Sequence, residues 1–320
     1  MKAALAGLFA LVLAAPPADA QSYPAKPVRL IIPFPAGGPT DLAARLIATR
    51  MGEGLGQAVI TDNRAGASGT LGADAVAKAA PDGYTLLLTP VSSHFIASFV
   101  TPNLPYDPIR DFTPICNATD ASTGIAVTSS LPVKTLPDLI ALARREPGKL
   151  SYSSAGVGSL FHLTGAMFNQ AAGVEVVHVP YKGAAQALVD LASGQISVTF
   201  SVLAPMLPYI KTGKIRLIAV MDEARYPGFP DVAAASETLP GFRKLEGGLA
   251  FLGPAGLPRP VVQKVNAEIA KAVFAPDVKA RLEESGFRVS ASTPEELATV
   301  LKTAQQTYGN AVKLAGVKPE

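Results

Sequence analysis

Short runs of β-branched and other apolar residues alternate along the chain with Ala-rich stretches whose apolar positions recur every three to four residues. Residues 28–33, 59–61 and 84–89 read as buried strands. Between them, residues 42–51 and 70–79 carry helical spacing. Strand, crossover helix, strand is the pattern of a largely parallel sheet covered on both faces. The alternation resumes after residue 120, with strands expected at 124–128, 150–153, 174–180, 196–200 and 215–220. Helices are expected at 136–145, 160–171, 184–193 and 204–212. The pattern therefore predicts two α/β lobes. Residues 21–123 with about 222–320 should form the first lobe, and residues 124–221 the second, with the C-terminal helices packing across both. Residues 125–132 and 249–258 share an apolar strand leading into a proline turn, and are expected to be neighbouring crossover strands that form a hinge. Beyond Pro258 the pattern is helical to the end, with Pro260, Pro276 and Pro294 each placed at a helix start.

The first twenty residues differ from the rest. Lys2 precedes an uninterrupted apolar run over residues 3–15, and Ala18-Asp19-Ala20 supplies a small-x-small cleavage site. Such a run is shorter than the roughly 20 residues that span a bilayer, so residues 1–20 read as a signal peptide cleaved near Ala20. The remainder exceeds the size at which one hydrophobic core usually keeps growing, in keeping with two lobes. The single cysteine, Cys116, lies far from the cleavage site, which argues against a lipid anchor, and is expected to be a small buried apolar residue. A freely soluble protein of a bacterial periplasm, acting as a monomer, is the resulting expectation.

Net charge is +3, with Lys and Arg scattered rather than clustered, so there is no electrostatic footprint for nucleic acid. The only histidines, His94, His162 and His178, are too widely spread for a recognised metal-ligand spacing. No metal and no cofactor are expected.

The strongest local signal is Pro33-Phe34-Pro35-Ala36-Gly37-Gly38-Pro39-Thr40-Asp41, set between a buried strand and a helix. Gly37 and Gly38 permit close approach of a ligand to the backbone, and Thr40 is placed to cap the helix. A helix N-terminus presents unpaired amides and partial positive charge, which suits a carboxylate. Asp41 either stabilises that N-terminus or receives an amino group of a ligand. A second element of the same kind is Ser154-Ala155-Gly156-Val157-Gly158-Ser159, between the strand at 150–153 and the helix from Leu160. In parallel sheets ligands bind beyond the carboxyl ends of the strands, so the two loops are expected to face each other across a cleft. Thr89 ends the strand at 84–89, and Ser92, Ser93 and His94 follow it at the same carboxyl end, where specificity contacts are expected. Neither glycine loop fits a nucleotide fingerprint. Ser159, His162 and Asp41 suggest a triad on paper, but no Gly-x-Ser-x-Gly elbow is present, so no catalytic residues and no enzyme activity are expected.

Seven ordered blocks carry a more specific resemblance. They are Pro33-Phe34-x-x-Gly37-Gly38-x-x-Asp41-x-x-Ala44-Arg45, Asn63-Arg64-x-Gly66-Ala67-x-Gly69, Pro81-Asp82-Gly83-Tyr84-Thr85-Leu86, Leu104-Pro105-Tyr106-Asp107, Tyr152-x-Ser154-Ala155-Gly156-x-Gly158-Ser159-x-x-His162-Leu163, His178-Val179-Pro180-Tyr181-Lys182-Gly183 and Gly253-Pro254-Ala255-Gly256-x-Pro258. Through them the chain resembles the Bug family, the substrate-binding receptors of tripartite tricarboxylate transporters. The resemblance implies an α/β, two-lobed periplasmic-binding-protein fold of the Venus-flytrap, type II-like kind. It also implies a small organic acid held by its carboxylate, partly through ordered waters, at the loops 34–41 and 154–159, and delivery to separate membrane permease subunits. A periplasmic sensor input for a two-component kinase is the alternative function. The chain departs from the family in having no tryptophan before the second crossover strand, where it reads Leu245-Glu246-Gly247-Gly248, and in having Ala233-Ala234 for a usual Pro-Thr.

Overall fold

The computed structural model of the chain describes residues 23–318, apart from residues 223 and 246. The signal peptide expected at residues 1–20 and its cleavage site lie outside the described residues. Among the described residues, no helix is long and apolar enough to cross a membrane.

The first half alternates as its pattern predicts through β1 (Val28–Ile32), α1 (Pro39–Leu55), β2 (Val59–Asn63), α2 (Thr70–Ala77) and β3 (Thr85–Pro90), and continues into α3 (Val91–Val100) and β4 (Phe112–Asp120). There follow β5 (Thr123–Thr128), α4 (Leu136–Arg145), β6 (Ser151–Ser154), α5 (Leu160–Ala172), β7 (Val177–Pro180), α6 (Ala184–Ser193), β8 (Val198–Val202), α7 (Leu203–Lys211) and β9 (Ile215–Val220). The chain ends through α8 (Ala235–Thr238), β10 (Leu249–Pro254), α9 (Arg259–Phe274), α10 (Pro276–Glu284), β11 (Arg288–Val289) and α11 (Pro294–Leu314). Local chemistry sets several boundaries. Pro39 and Gly56, with φ of 68°, bracket α1. Capping boxes start α4 at Thr135 with Asp138, and α11 at Thr293 with Glu296.

Two sheets result. One has the order β11-β4-β10-β3-β1-β2, and the other β7-β6-β8-β5-β9. Each is mixed rather than largely parallel. β1 runs parallel to β2 and β3, and β6 to β7 and β8, whereas β10 and β5 lie antiparallel to both of their neighbours. The proposed pairing of residues 125–132 with 249–258 as one hinge is incorrect, because β5 and β10 sit in different sheets. Their shared apolar pattern reflects burial: every residue of both strands is buried between its neighbours. The connections between sheets are Ala121-Ser122, from β4 to β5, and residues 221–248, from β9 to β10.

Four elements escape the sequence pattern, one of them the single turn of α8. β4 mixes Pro114, Asn117 and Asp120 into its apolar positions and has register shifts against β10. β11 has only two residues. α3 begins at once after Pro90, so Ser92 and Ser93 occupy a helical first turn rather than a loop. Cys116 is fully buried, and burial pushes its thiol up to about 12. One apolar core joins Ile31, Phe95, Leu163, Leu297 and Tyr308, so α11 packs against both α3 and α5.

Candidate functional site

A cleft of about 900 Å³ opens between the two sheets' helices. From the first sheet it is lined by Phe34 after β1, by Ala67 and Ser68 before α2, and by α3 from Ser92 to Val100. From the second it is lined by Val157, Gly158, Ser159 and Leu160. The segment after α11, from Ala315 to Lys318, completes the wall.

Two helix N-termini open on this space, those of α3 and α5. The first-turn amides of a helix lack intrahelical partners, and neither helix has a side-chain cap. In α3 the Val91 amide is taken by the Gly248 carbonyl at 3.1 Å. Ser92 and Ser93, one step further, line the cleft and their hydroxyls make no hydrogen bond among the described residues. The same holds for Ser68, which sits at a positive φ of 55° next to Ala67 at 44°. Backbone held in that sparsely populated region is a feature that concentrates at binding sites.

The loop between β6 and α5 is built from its own hydrogen bonds. The Ser154 hydroxyl donates to the Gly156 carbonyl at 2.9 Å, and the Ser159 hydroxyl donates to the same carbonyl at 2.7 Å. Gly156 and Gly158 take φ values of 124° and 75°, which only glycine adopts readily. Beneath the loop, His162 Nδ1 accepts the Gly158 amide at 3.0 Å, so that nitrogen is unprotonated. His178 stacks on His162 at 3.8 Å and meets the Ser154 hydroxyl at 2.7 Å through Nε2. Burial lowers the pKa of both imidazoles; His178, also facing His162, is lowered to about 4.

The loop between β1 and α1 is arranged differently. The carboxylate of Asp41, 3 % exposed, accepts from the Gly37 amide at 2.9 Å, from Arg45 Nε at 2.9 Å and from Asn63 Nδ2 at 2.9 Å. The bond from Arg45 is the main cause that holds Asp41 down at about 2, helped by Gly37 and Asn63 against burial. Ala36, Gly37, Gly38 and Thr40 stand outside the cleft lining, and Phe34 alone of this loop reaches it. Ala155 is exposed, and Ser154, Gly156 and His162 support the lining from behind. Thr89 and His94 are buried; His94 Nε2 bonds the Pro108 carbonyl at 2.8 Å, and burial lowers its pKa to about 4. Ser159, His162 and Asp41 form no triad, since each is committed to a different partner. Ala67, Ser68, Ile96, Val100 and the 315–318 segment were not anticipated as lining. The dense Gly66-Ala67-x-Gly69 run was the one sequence signal for part of that set. Among the described residues, no group of three or more His, Cys, Asp or Glu could hold a metal ion.

The sequence model for the tripartite tricarboxylate transporter family receptor matches residues 43–316. The chain belongs to that receptor family. Protein BugT of Bordetella pertussis (strain Tohama I) is 31% identical over 98% of this chain and 97% of its own length. Among solved structures, the periplasmic binding protein BugD is 32% identical with a TM-score of 0.71, over 93% of this chain and 100% of BugD. Rpa4515 of R. palustris, solved with adipate, is 34% identical with a TM-score of 0.74, over 93% of this chain and 100% of that one. The Bug resemblance and the two-lobed periplasmic-binding-protein fold are therefore correct. This tripartite tricarboxylate transporter receptor family consists of solute-binding proteins, not enzymes.

Proposed function

We propose that the protein is a periplasmic receptor, exported by its first twenty residues, that captures a small organic acid by its carboxylate and delivers it to the membrane permease subunits of a tripartite tricarboxylate transporter. The observation that carries this reading is the convergence of two uncapped helix N-termini, α3 from one lobe and α5 from the other, on one cleft with free serine hydroxyls. The adipate bound to the Rpa4515 relative supports a carboxylate as the recognised group. The lobe division assigned is residues 21–123 with about 222–320, and residues 124–221.

Magnitudes agree with a site that has no arginine clamp. Hydrogen bonds to a charged group contribute roughly 1.5 to 3 kcal/mol each. About four of them approach the roughly 8 kcal/mol of a micromolar complex before ordering costs are subtracted. Bridging waters extend the reach of the amides at little loss.

A thermal-shift panel of organic acids against chloride tests the reading, because a ligand bound only to the native state raises Tm. Stabilisation by one or more carboxylates is expected. A Tm indifferent to every acid offered would refute it. Uptake of a labelled hit by cells with and without this gene then tests delivery.

A further inference from the structure

The cleft is polar at one set of positions and apolar elsewhere. Beyond the free hydroxyls, its walls are Ile96, Ala97 and Val100 along α3, with Leu160 and Val317 from the other side. From Ser92 to Val100 the lining follows α3 for roughly 12 Å, at 1.5 Å of rise per residue. Such a space suits an extended body better than a compact one. Among the described lining residues, a single side chain carries charge, and it is Lys318.

The turn that leads into Lys318 is tied down. Gly316 turns out of α11 at a φ of 63°, the Gly316 amide donates to the Lys313 carbonyl at 3.2 Å, and the Val317 amide donates to Val312 at 3.2 Å. These are the backbone bonds of a helix C-terminal cap, which fix the direction of the residues that follow. Val317 lies against the second-lobe loop, its Cγ1 3.7 Å from where a β-carbon on Gly158 would stand.

We propose that Lys318 determines specificity in this cleft by receiving a second anionic group, carried on the apolar body of an acid whose first carboxylate is held at the α3 and α5 N-termini. The assignment rests on the receptor function proposed above. Lys318 is exposed in this structure; a closure of the lobes that took water from it would be offset by a second carboxylate, which replaces that water with an ion pair. A monoacid of the same length leaves the ammonium facing hydrocarbon. A ligand ending in an ammonium group is repelled.

Calorimetric titration of adipate, hexanoate and 6-aminohexanoate into protein free of any C-terminal tag tests this. The wild type should bind adipate at least about tenfold tighter than hexanoate. Lys318→Met should bring the two acids within about twofold by weakening adipate alone. Lys318→Arg should keep the preference, and Lys318→Glu should turn it toward 6-aminohexanoate. A Lys318→Met protein that still prefers adipate as strongly as the wild type overturns the proposal, as does a wild type that binds hexanoate as tightly as adipate. Binding of malate but of no six-carbon acid also overturns it and leaves the receptor function standing. Binding of no carboxylate at all removes the receptor function and this assignment with it.

Discussion

Ser92 and Ser93 reach the cleft with hydroxyls that no other described residue engages, so their removal should cost binding and spare the fold. Replacing both by alanine should weaken the best-binding acid by about tenfold to hundredfold, the worth of one or two bonds to a charged group. Calorimetry measures it, with an unchanged urea midpoint as the control. Asp41→Asn should do the reverse. It removes the charge that gathers Gly37, Arg45 and Asn63, so a loss of about 2 to 3 kcal/mol in urea unfolding is expected, with binding altered less than stability. Gly38→Val separates the two loops as binding elements. Gly38 has an ordinary extended backbone, and the nearest atom to a β-carbon there is the Pro35 carbonyl oxygen at 3.6 Å, so the variant should fold. Retained affinity in Gly38→Val would place recognition at α3 and α5 rather than at residues 36–41. These cases show how far the site was legible in the sequence. Glycines between a strand and a helix mark a backbone that a ligand can approach; of the two loops singled out that way, one lines the cleft at Val157, Gly158 and Ser159 and the other only at Phe34. The sequence does not reveal that Asp41 fills the Gly37 amide from within its own loop, or that Lys318 returns to the cleft after a long helix.

At the scale of elements, the alternation of strands and helices was readable wherever apolar periodicity was clean, as in β1, β9 and α4. It failed where another term dominated. β4 ends in a polar residue because Asp120 pairs with Lys244 and Arg288 at the crossover, and β11 is too short to have a period. The antiparallel placement of β5 and β10 depends on which sheet the chain has just left, a property of connection rather than composition. One element-scale consequence concerns pH. His162 and His178 stack under the second-lobe loop, and both are held neutral, His178 by burial and then by its neighbour. Both folded pKa values lie below the 6.5 of a free imidazole, that of His178 at about 4, so below pH 6.5 the unfolded chain binds protons that the folded one does not. Stability should be full above pH 6.5 and fall as the pH drops toward 4. Urea midpoints measured from pH 7 to pH 4.5 should decline, and His178→Gln should flatten part of that decline. An equal slope in the variant would assign the acid sensitivity to other groups, His94 first among them, since burial lowers it as well.

At the scale of the whole molecule, any movement of one lobe against the other passes through two connections, and one lysine grips both. Lys244 Nζ lies 2.8 Å from Asp120 at the end of β4 and 2.8 Å from Asp222 just after β9, with its side chain 18% exposed. Arg288 adds a second cation to Asp120 at 2.8 Å. Burial opposes the Lys244 charge, yet Asp120 and Asp222 outweigh it and raise its pKa. Such a cluster adds little net stability over an apolar replacement of the whole set, but removal of one member strands the rest. Among the described residues one oxygen of Asp222 is already buried without a partner, so loss of Lys244 strands Asp222 while Asp120 keeps Arg288. Lys244→Met should therefore cost about 3 kcal/mol or more in urea unfolding. It should also act on motion, because the two connections would no longer be tied at a common point. The radius of gyration measured by small-angle scattering should then differ more between ligand-free and ligand-saturated protein than it does in the wild type. A variant that loses stability yet compacts on binding by the wild-type amount would show that the cluster only holds the crossover together and leaves lobe closure to the strands themselves.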